Sequence, residues 1–345
     1  MKVSVFVNGQ AGRANFEAIQ TACDRALFRT ELKYFQPTSK ESLQAEVLKQ
    51  AHLSDALVIC GGDGTLNNAV QPLLMEYRKN SESTSEFKIP PILPLPVGTA
   101  NDLASELRIT DRLEKAARRI MESEPSAIDV LEVKSEQSIV YMLTNGGLGL
   151  AAETADLANR IRENVRDENL IENRESSLHM RRFSKEAIRL AGSRIYELLL
   201  AGQMLSGNSS KWLRGWCVSI EIDGGLKRNT SAPFIMVNNQ PGLGGKYIPA
   251  PLTSNTDGTF NILLVESPGL VALGKSLWQI RSGKIPDEKQ CPRLETSHAV
   301  FRSKGDARDL TFFGDGEILH RNVREIEVTC LKRALPVYLG AEDAS

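Results

Sequence analysis

Along residues 1–125, short runs of consecutive apolar side chains alternate with longer stretches in which apolar residues recur every three or four positions. The first pattern suits buried strands and the second amphipathic helices. Strands are expected at Lys2–Asn8, Leu32–Gln36, Ala56–Cys60 and Ile92–Pro96. Helices are expected at Arg13–Arg29, Lys40–His52, Thr65–Tyr77, Asn101–Leu107 and Asp111–Glu122. Regular alternation of this kind predicts a Rossmann-like parallel sheet with helices on both faces.

Beyond residue 126 the period shortens to that of strands. Ile128–Lys134, Ile139–Thr144, Val218–Ile222, Phe234–Val237 and Phe260–Val265 are the candidates, with turns at Asp223-Gly-Gly225 and Asp257-Gly258. The expected organisation is therefore α/β plus all-β. An α/β nucleotide-binding domain covers 1–125, and a β-sandwich-like domain covers 126–345 with a helical insertion at about 151–216. The C-terminal strand Arg324–Cys330 fits either domain, so the tail is free to return to the first.

The insertion changes the charge picture. It carries Arg181, Arg182, Lys185, Arg189, Arg194, Lys211 and Arg214 among Phe183, Ile188, Ile195, Leu198, Leu199, Met204, Trp212 and Trp216. A basic amphipathic element with tryptophans suits either a membrane interface or a helical hairpin whose charges are simply solvated. Over the whole chain, 42 basic and 43 acidic residues nearly cancel, which argues against a nucleic-acid partner. Composition, 41% hydrophobic and 25% charged, is that of a globular protein. No apolar run approaches the ~20 residues of a transmembrane helix, and the N-terminus enters a strand pattern directly. Five dispersed cysteines and four dispersed histidines supply neither a zinc pattern nor a histidine-based triad. The expected location is the cytoplasm, with peripheral membrane contact and a homodimer left open.

Candidate chemistry concentrates in three glycine-bearing turns, Gly9–Gly12, Gly61–Thr65 and Gly98–Asp102, each following a predicted strand. In parallel sheets, ligands bind beyond the carboxyl ends of the strands. Glycines let a ligand approach the main chain, and a following helix offers free N–H groups to an anion. Gly61-Gly62-Asp63-Gly64-Thr65 thus reads as a phosphate-binding turn. Its Asp63 is suited to hold Mg²⁺ or to orient the network around it. Thr65 and Thr99 are candidate hydroxyl donors, and Asn67 and Asn101 are neutral groups able to fix oxygens. Asp102 is a second candidate there, with helix capping as its alternative role.

The spacing of these turns resembles one family. Gly61-Gly-Asp-Gly-Thr65 is followed by Leu95-Pro-Val-Gly-Thr-Ala-Asn-Asp-Leu-Ala104, as in the diacylglycerol and sphingoid lipid kinases and their bacterial relatives. Phe6-Val-Asn-Gly-Gln-Ala-Gly12, Val237-Asn-Asn239, Gly244-Gly245, Pro251, Asp257-Gly258 and Phe313-Gly-Asp-Gly-Glu317 continue the resemblance in order. It implies ATP and Mg²⁺ as cofactors and a lipid hydroxyl at a membrane surface as acceptor. The late acidic turn would then supply the base, Asp315 or Glu317, with Asp315 slightly preferred. The resemblance also implies nucleotide contacts at Asn8, Gly12, Thr38, Gly61, Gly62, Gly64, Thr65, Gly98 and Thr99. It further implies a structural Mg²⁺ at Asp257 with main-chain oxygens of Ser254 and Thr259. Asn8-Gly9 replaces the family's Asn-Pro and Ala11 its usual Ser, so one hydroxyl contact is lost there, and Arg13 is positioned in sequence to replace it. NAD kinases share the first motif, although Gly98–Ala104 argues against them. A nucleotide-binding regulator without transfer activity is the remaining alternative.

Overall fold

The computed structural model describes residues 1–9, 15–81, 87–98, 101–168, 217–244, 247–266, 269–284, 287–304 and 309–340. The basic insertion at 169–216, and with it the expected membrane element, lies outside the described residues, as do Gly12 and Thr99.

The first part alternates as the apolar pattern requires. Strands β1 (Lys2–Val7), β2 (Glu31–Phe35), β3 (Ala56–Gly61) and β4 (Ile92–Pro96) run parallel in the order β2-β1-β3-β4. Helices α1 (Phe16–Ala26), α2 (Lys40–Ala51), α3 (Asp63–Ser81), α4 (Asp102–Glu106) and α5 (Leu113–Glu122) connect and follow them. Every residue of β3 is buried, which explains its unbroken apolar run: a central parallel strand is covered on both faces. Asn15 caps α1 through its side chain, and Ser39 with Ser42 forms a capping box on α2. These polar residues satisfy amide groups that a helix start leaves unpaired.

The second part is a two-sheet sandwich. Strands β5 (Ser126–Lys134), β6 (Ile139–Met142), β7 (Asn145–Gly149) and helix α6 (Leu150–Glu168) come first. After the insertion come β8 (Val218–Ile222), β9 (Leu226–Thr230), β10 (Phe234–Asn238), β11 (Phe260–Val265) and helix α7 (Leu270–Arg281). The chain closes with β12 (Arg293–Thr296), β13 (His298–Ser303), β14 (Leu310–Gly314), β15 (Glu317–Val323) and β16 (Glu325–Val337). One sheet is antiparallel throughout, in the order β12-β11-β10-β7-β14-β15. The other is the ten-stranded sheet that already contains β1–β4.

Strand β16 joins the two parts. It pairs antiparallel with β5 and β13, and its last residue, Val337, pairs in parallel with Ile92 of β4. The Tyr338 amide continues that contact to the Ile92 carbonyl at 3.0 Å. Between the sheets, Leu131, Val133, Phe260, Ile262, Phe301, Phe312 and Val328 form one core. The alternate residues Met236, Leu263, Val265 and Phe313 point outward from the antiparallel sheet against α6 and α7. This is the two-residue period of a pleated strand expressed as two separate cores.

Several elements differ from expectation. α3 begins at Asp63 rather than Thr65, so the acid sits in the first helical turn. Strand β7, Asn145-Gly-Gly-Leu-Gly149, lacks the branched residues that mark strands, yet it is buried in mid-sheet. Helix α7 and strands β9 and β12–β15 add to the expected elements. Their short runs of mixed polarity give weak periodic signals.

Candidate active site

The described residues at which the three predicted turns begin lie at the carboxyl edge of the parallel sheet. Asn8 follows β1, Gly61-Gly62 ends β3, and Val97-Gly98 follows β4. The second and third turns touch through their backbones. A Cβ added to Gly98 would fall inside contact distance of the Gly62 Cα and 2.8 Å from its amide nitrogen. One added to Gly61 would lie 2.7 Å from Thr65 Oγ1. Glycine at both positions is thus a packing requirement, and it leaves the main chain of the turn uncovered by side chains. Asn8 Nδ2 donates to Thr65 Oγ1 at 2.8 Å, tying the first turn to the start of α3. Thr38 lies exposed at the same edge, after β2.

Asp63 is half-buried, and its Oδ1 accepts from the Leu103 amide at 3.2 Å, at the start of α4. Its Oδ2 has no partner among the described residues. The acid thus bridges the two glycine turns at the positive end of α3. Asn101 is left-handed, with φ 55°, and its amide group closes the Gly98 loop in both directions, at 3.1 and 3.0 Å. Asp102 does not cap α4. Its Oδ2 accepts from the Gly244 amide at 2.6 Å and so ties this sheet edge to the second part of the chain.

The late acidic turn is a two-residue hairpin between β14 and β15. Asp315 and Gly316 have φ of 51° and 81°, the positive values that such a turn demands and that Asp-Gly supplies. The turn drives its two acids in opposite directions. Asp315 is buried, 8% exposed. Its Oδ1 accepts from the Thr144 amide at 2.8 Å and the Thr144 hydroxyl at 2.6 Å. Its Oδ2 accepts from the Leu143 amide at 2.8 Å and Asn67 Nδ2 at 2.5 Å. All four acceptor positions of the carboxylate are filled. Burial still outweighs these bonds and raises its pKa above the ordinary aspartate range.

Glu317 is exposed. A Cβ added to Gly64 would lie 3.9 Å from Glu317 Oε1, so this carboxylate stands against the first turn of α3. The Gly316 carbonyl, which accepts from Asn159 Nδ2 at 3.2 Å, anchors the turn to α6. Two acids from opposite ends of the sequence, Asp63 and Glu317, thereby flank one helix start.

Asn67 turns away from this opening. It is buried, donates to the Tyr141 carbonyl at 2.9 Å as well as to Asp315, and accepts from Gln71 Nε2 at 3.0 Å. Gln71 completes the joint with the Tyr141 carbonyl at 2.8 Å and the Tyr141 amide at 2.9 Å. Gln71 and Thr144 lie outside the motifs that point to the site. The available signal was two amide side chains one helical turn apart, Asn67 and Gln71, among the buried Leu66, Ala69, Val70, Leu73 and Leu74. A buried polar pair must find internal partners. Asn239, of the Val237-Asn-Asn239 motif, is also internal, donating to the carbonyls of Asp129 at 3.0 Å and Leu143 at 2.8 Å.

The Asp257-Gly258 turn lies apart from these groups. Asp257 Oδ1 accepts from the amide and the hydroxyl of Thr259, both at 2.9 Å, and Ser254 Oγ pairs with Thr256 Oγ1 at 2.9 Å. Buried Asp129 grips the turn through the Gly258 amide at 2.6 Å and holds the Arg333 amide at 2.7 Å. Among the described residues, no three His, Cys, Asp or Glu side chains cluster as a metal would require.

Residues 2–133 match the family model described as the diacylglycerol kinase catalytic domain. A Staphylococcus epidermidis protein named "Putative lipid kinase SERP0390" is 28% identical over 246 residues, 71% of this chain and 63% of its own length. The chain thus spans just under two thirds of that relative. "Probable lipid kinase YegS" of Escherichia coli is 35% identical over 106 residues, 30% of this chain and 33% of that protein. In fold, a diacylglycerol kinase from Bacillus anthracis superposes with a TM-score of 0.65 at 16% identity, covering 98% of this chain and 96% of its own. An NAD kinase from Archaeoglobus fulgidus reaches 0.50 at 12% identity over 99% and 94%. The matched segment covers β1–β4, nearly all of β5 and helices α1–α5, and hence both glycine turns; the hairpin that carries Glu317 lies outside it.

Proposed function

We propose that this protein is an ATP-dependent lipid kinase, transferring the γ-phosphate to a hydroxyl of diacylglycerol or a sphingoid base. One observation carries the reading: Glu317 stands against Gly64, in the first turn of α3. Phosphoryl transfer needs positioned phosphates, neutralised charge and a base for the attacking hydroxyl. The helix start at Gly62–Thr65 supplies amide groups and a positive dipole end for the phosphates. Asn8, Thr65 and the Gly98 main chain line the same edge, and Gly12, Thr38 and Thr99 are assigned to it from their place in the sequence.

Mg²⁺, when bound, supplies positive charge to the phosphate oxygens, and Asp63, with one carboxylate oxygen uncommitted among the described residues, is the group suited to hold it. Glu317 takes the proton of the lipid hydroxyl. The freed oxygen bonds to the γ-phosphorus, the bond from that phosphorus to the β–γ bridging oxygen breaks, and ADP leaves. Asp315 is a positioning residue: with four donors already on it, it has no acceptor site left for a substrate proton. This reverses the slight preference for Asp315 drawn from the resemblance.

The test is transfer from labelled ATP to mixed micelles containing diacylglycerol, sphingosine or ceramide, with NAD and a sugar phosphate alongside. Labelled lipid is the expected product. Label on NAD and on no lipid would replace the lipid reading with that of an NAD kinase. ATP binding without any transfer would make the protein a nucleotide-dependent regulator. Asp63→Asn should keep the fold and lose most transfer; near-normal turnover would remove Asp63 from the chemistry.

A further inference from the structure

Helix α7 covers the outer face of the antiparallel sheet with Leu273, Leu277 and Ile280. These share a core cluster with Phe313 and Ile318, on either side of the Asp315–Glu317 turn. The opposite face of α7 carries exposed apolar residues. Val271 is 89% exposed and Trp278 59%. Exposed Lys275 lies between them, four residues after the valine and three before the tryptophan, the spacing that puts all three on one stripe. Lys284 Nζ sits 5.7 Å from the centre of the Trp278 ring. Ile248 closes the C-terminal end of the stripe, its amide donating to the Ile280 carbonyl at 3.2 Å, and it too is exposed.

Charge selects the occupant. Leu270–Lys284 contains Lys275, Arg281 and Lys284 and no acidic residue; the first acids, Asp287 and Glu288, come only after the turn. Apolar side chains amid cations, with a tryptophan at the boundary, match the layered chemistry of an anionic bilayer surface. A second copy of the same face would bring like charges together.

We propose that this face of α7 docks on an anionic lipid bilayer. Trp278 and Val271 enter the headgroup–acyl boundary, and Lys275 and Lys284 meet lipid phosphates. The proposal deepens the lipid-kinase reading and rests on it for its purpose: α7 packs on the layer that carries Glu317, so docking sets the attitude of that turn to the membrane.

The test compares partition of the full chain onto phosphatidylcholine vesicles and onto vesicles with added phosphatidylglycerol. Binding is expected on the anionic vesicles and should weaken with salt. The double substitution Val271→Ser/Trp278→Ser should lower partition by roughly tenfold or more, and Lys275→Gln/Lys284→Gln by roughly fivefold per cation. Both pairs should leave transfer to lipid in detergent mixed micelles unchanged. In a Trp212→Phe/Trp216→Phe background, brominated lipid should quench the remaining fluorescence of Trp278.

Unquenched Trp278, or unchanged partition of both pairs, overturns the docking. So does partition that depends only on Arg181, Arg182 and Lys185, or a dimer that Trp278→Ser dissolves in a chain that ignores vesicles. If no lipid is phosphorylated in micelles, the kinase reading fails by itself, and partition and quenching still decide the docking.

Discussion

The two acidic turns of this protein are built on opposite principles. Asp63 is held by its neighbours in the backbone: a glycine strand end, a second glycine turn packed against it, and an amide of α4. The β14–β15 hairpin is held by side chains, above all by a buried carboxylate gripped from residues 67, 143 and 144. The first device spans 40 positions, from Asp63 to Leu103, and leaves its acid half-buried at a helix start. The second spends one acid, Asp315, on fixing the turn, so that the next, Glu317, is presented against the first. An acid at the surface of a site can serve chemistry; one with four donors serves position.

The sharpest way to break this contrast is to neutralise each acid of the hairpin in turn. Glu317→Gln should lower kcat by about 10²–10⁴, the usual contribution of a general base, with a smaller loss of stability than Asp315→Asn. Asp315→Asn should behave in reverse. Its amide would aim N–H groups at two of the four donors, costing about 2–3 kcal/mol of stability in a urea titration. Activity should then fall only as far as the hairpin shifts. A stable but inactive Asp315→Asn beside an active Glu317→Gln would exchange the two roles.

On the other turn, Gly98→Ala places a methyl group against the Gly62 backbone, which has no side chain to move aside. A loss of about 1–3 kcal/mol is expected, with weaker ATP binding by titration calorimetry. Full stability would mean that the two turns are not in contact.

The smallest effect concerns His320, buried in β15 beyond the acidic turn. Its Nε2 faces the Val133 carbonyl at 3.2 Å and so carries the proton, while Nδ1 accepts from the Ser135 hydroxyl at 2.9 Å. Burial holds its pKa below the ordinary value. The unfolded chain therefore binds the proton first, and stability contributed by neutral His320 is lost as pH falls below about 6.5. Melts at pH 7.5 and 5.5 should show a larger loss for the native chain than for His320→Gln; equal losses would show that His320 titrates alike in both states.

Much of the fold was legible because the first half is locally written. The run Leu57–Cys60, the capping residues Asn15 and Ser39, and the regular strand–helix alternation each act within a few residues, and their elements form close to where the pattern places them. The second half was less legible. Strand β7 is held in mid-sheet by its partners on β10 and β14 despite three glycines, and α7 owes its buried face to a sheet assembled from distant strands. Neither partner can be read from the segment itself.

By itself, the sequence determined the glycine turns, the Asp-Gly hairpin and the parallel sheet edge, since steric freedom and apolar period are properties of neighbouring residues. Only the tertiary structure decided which acid is buried and which exposed, and that Asn67 joins the two parts of the molecule from a position the motif had assigned to the ligand. The physical reason is distance along the chain: Asn67 and Asp315 are separated by 248 positions. The fate of a carboxylate depends on which donors the folded chain brings to it.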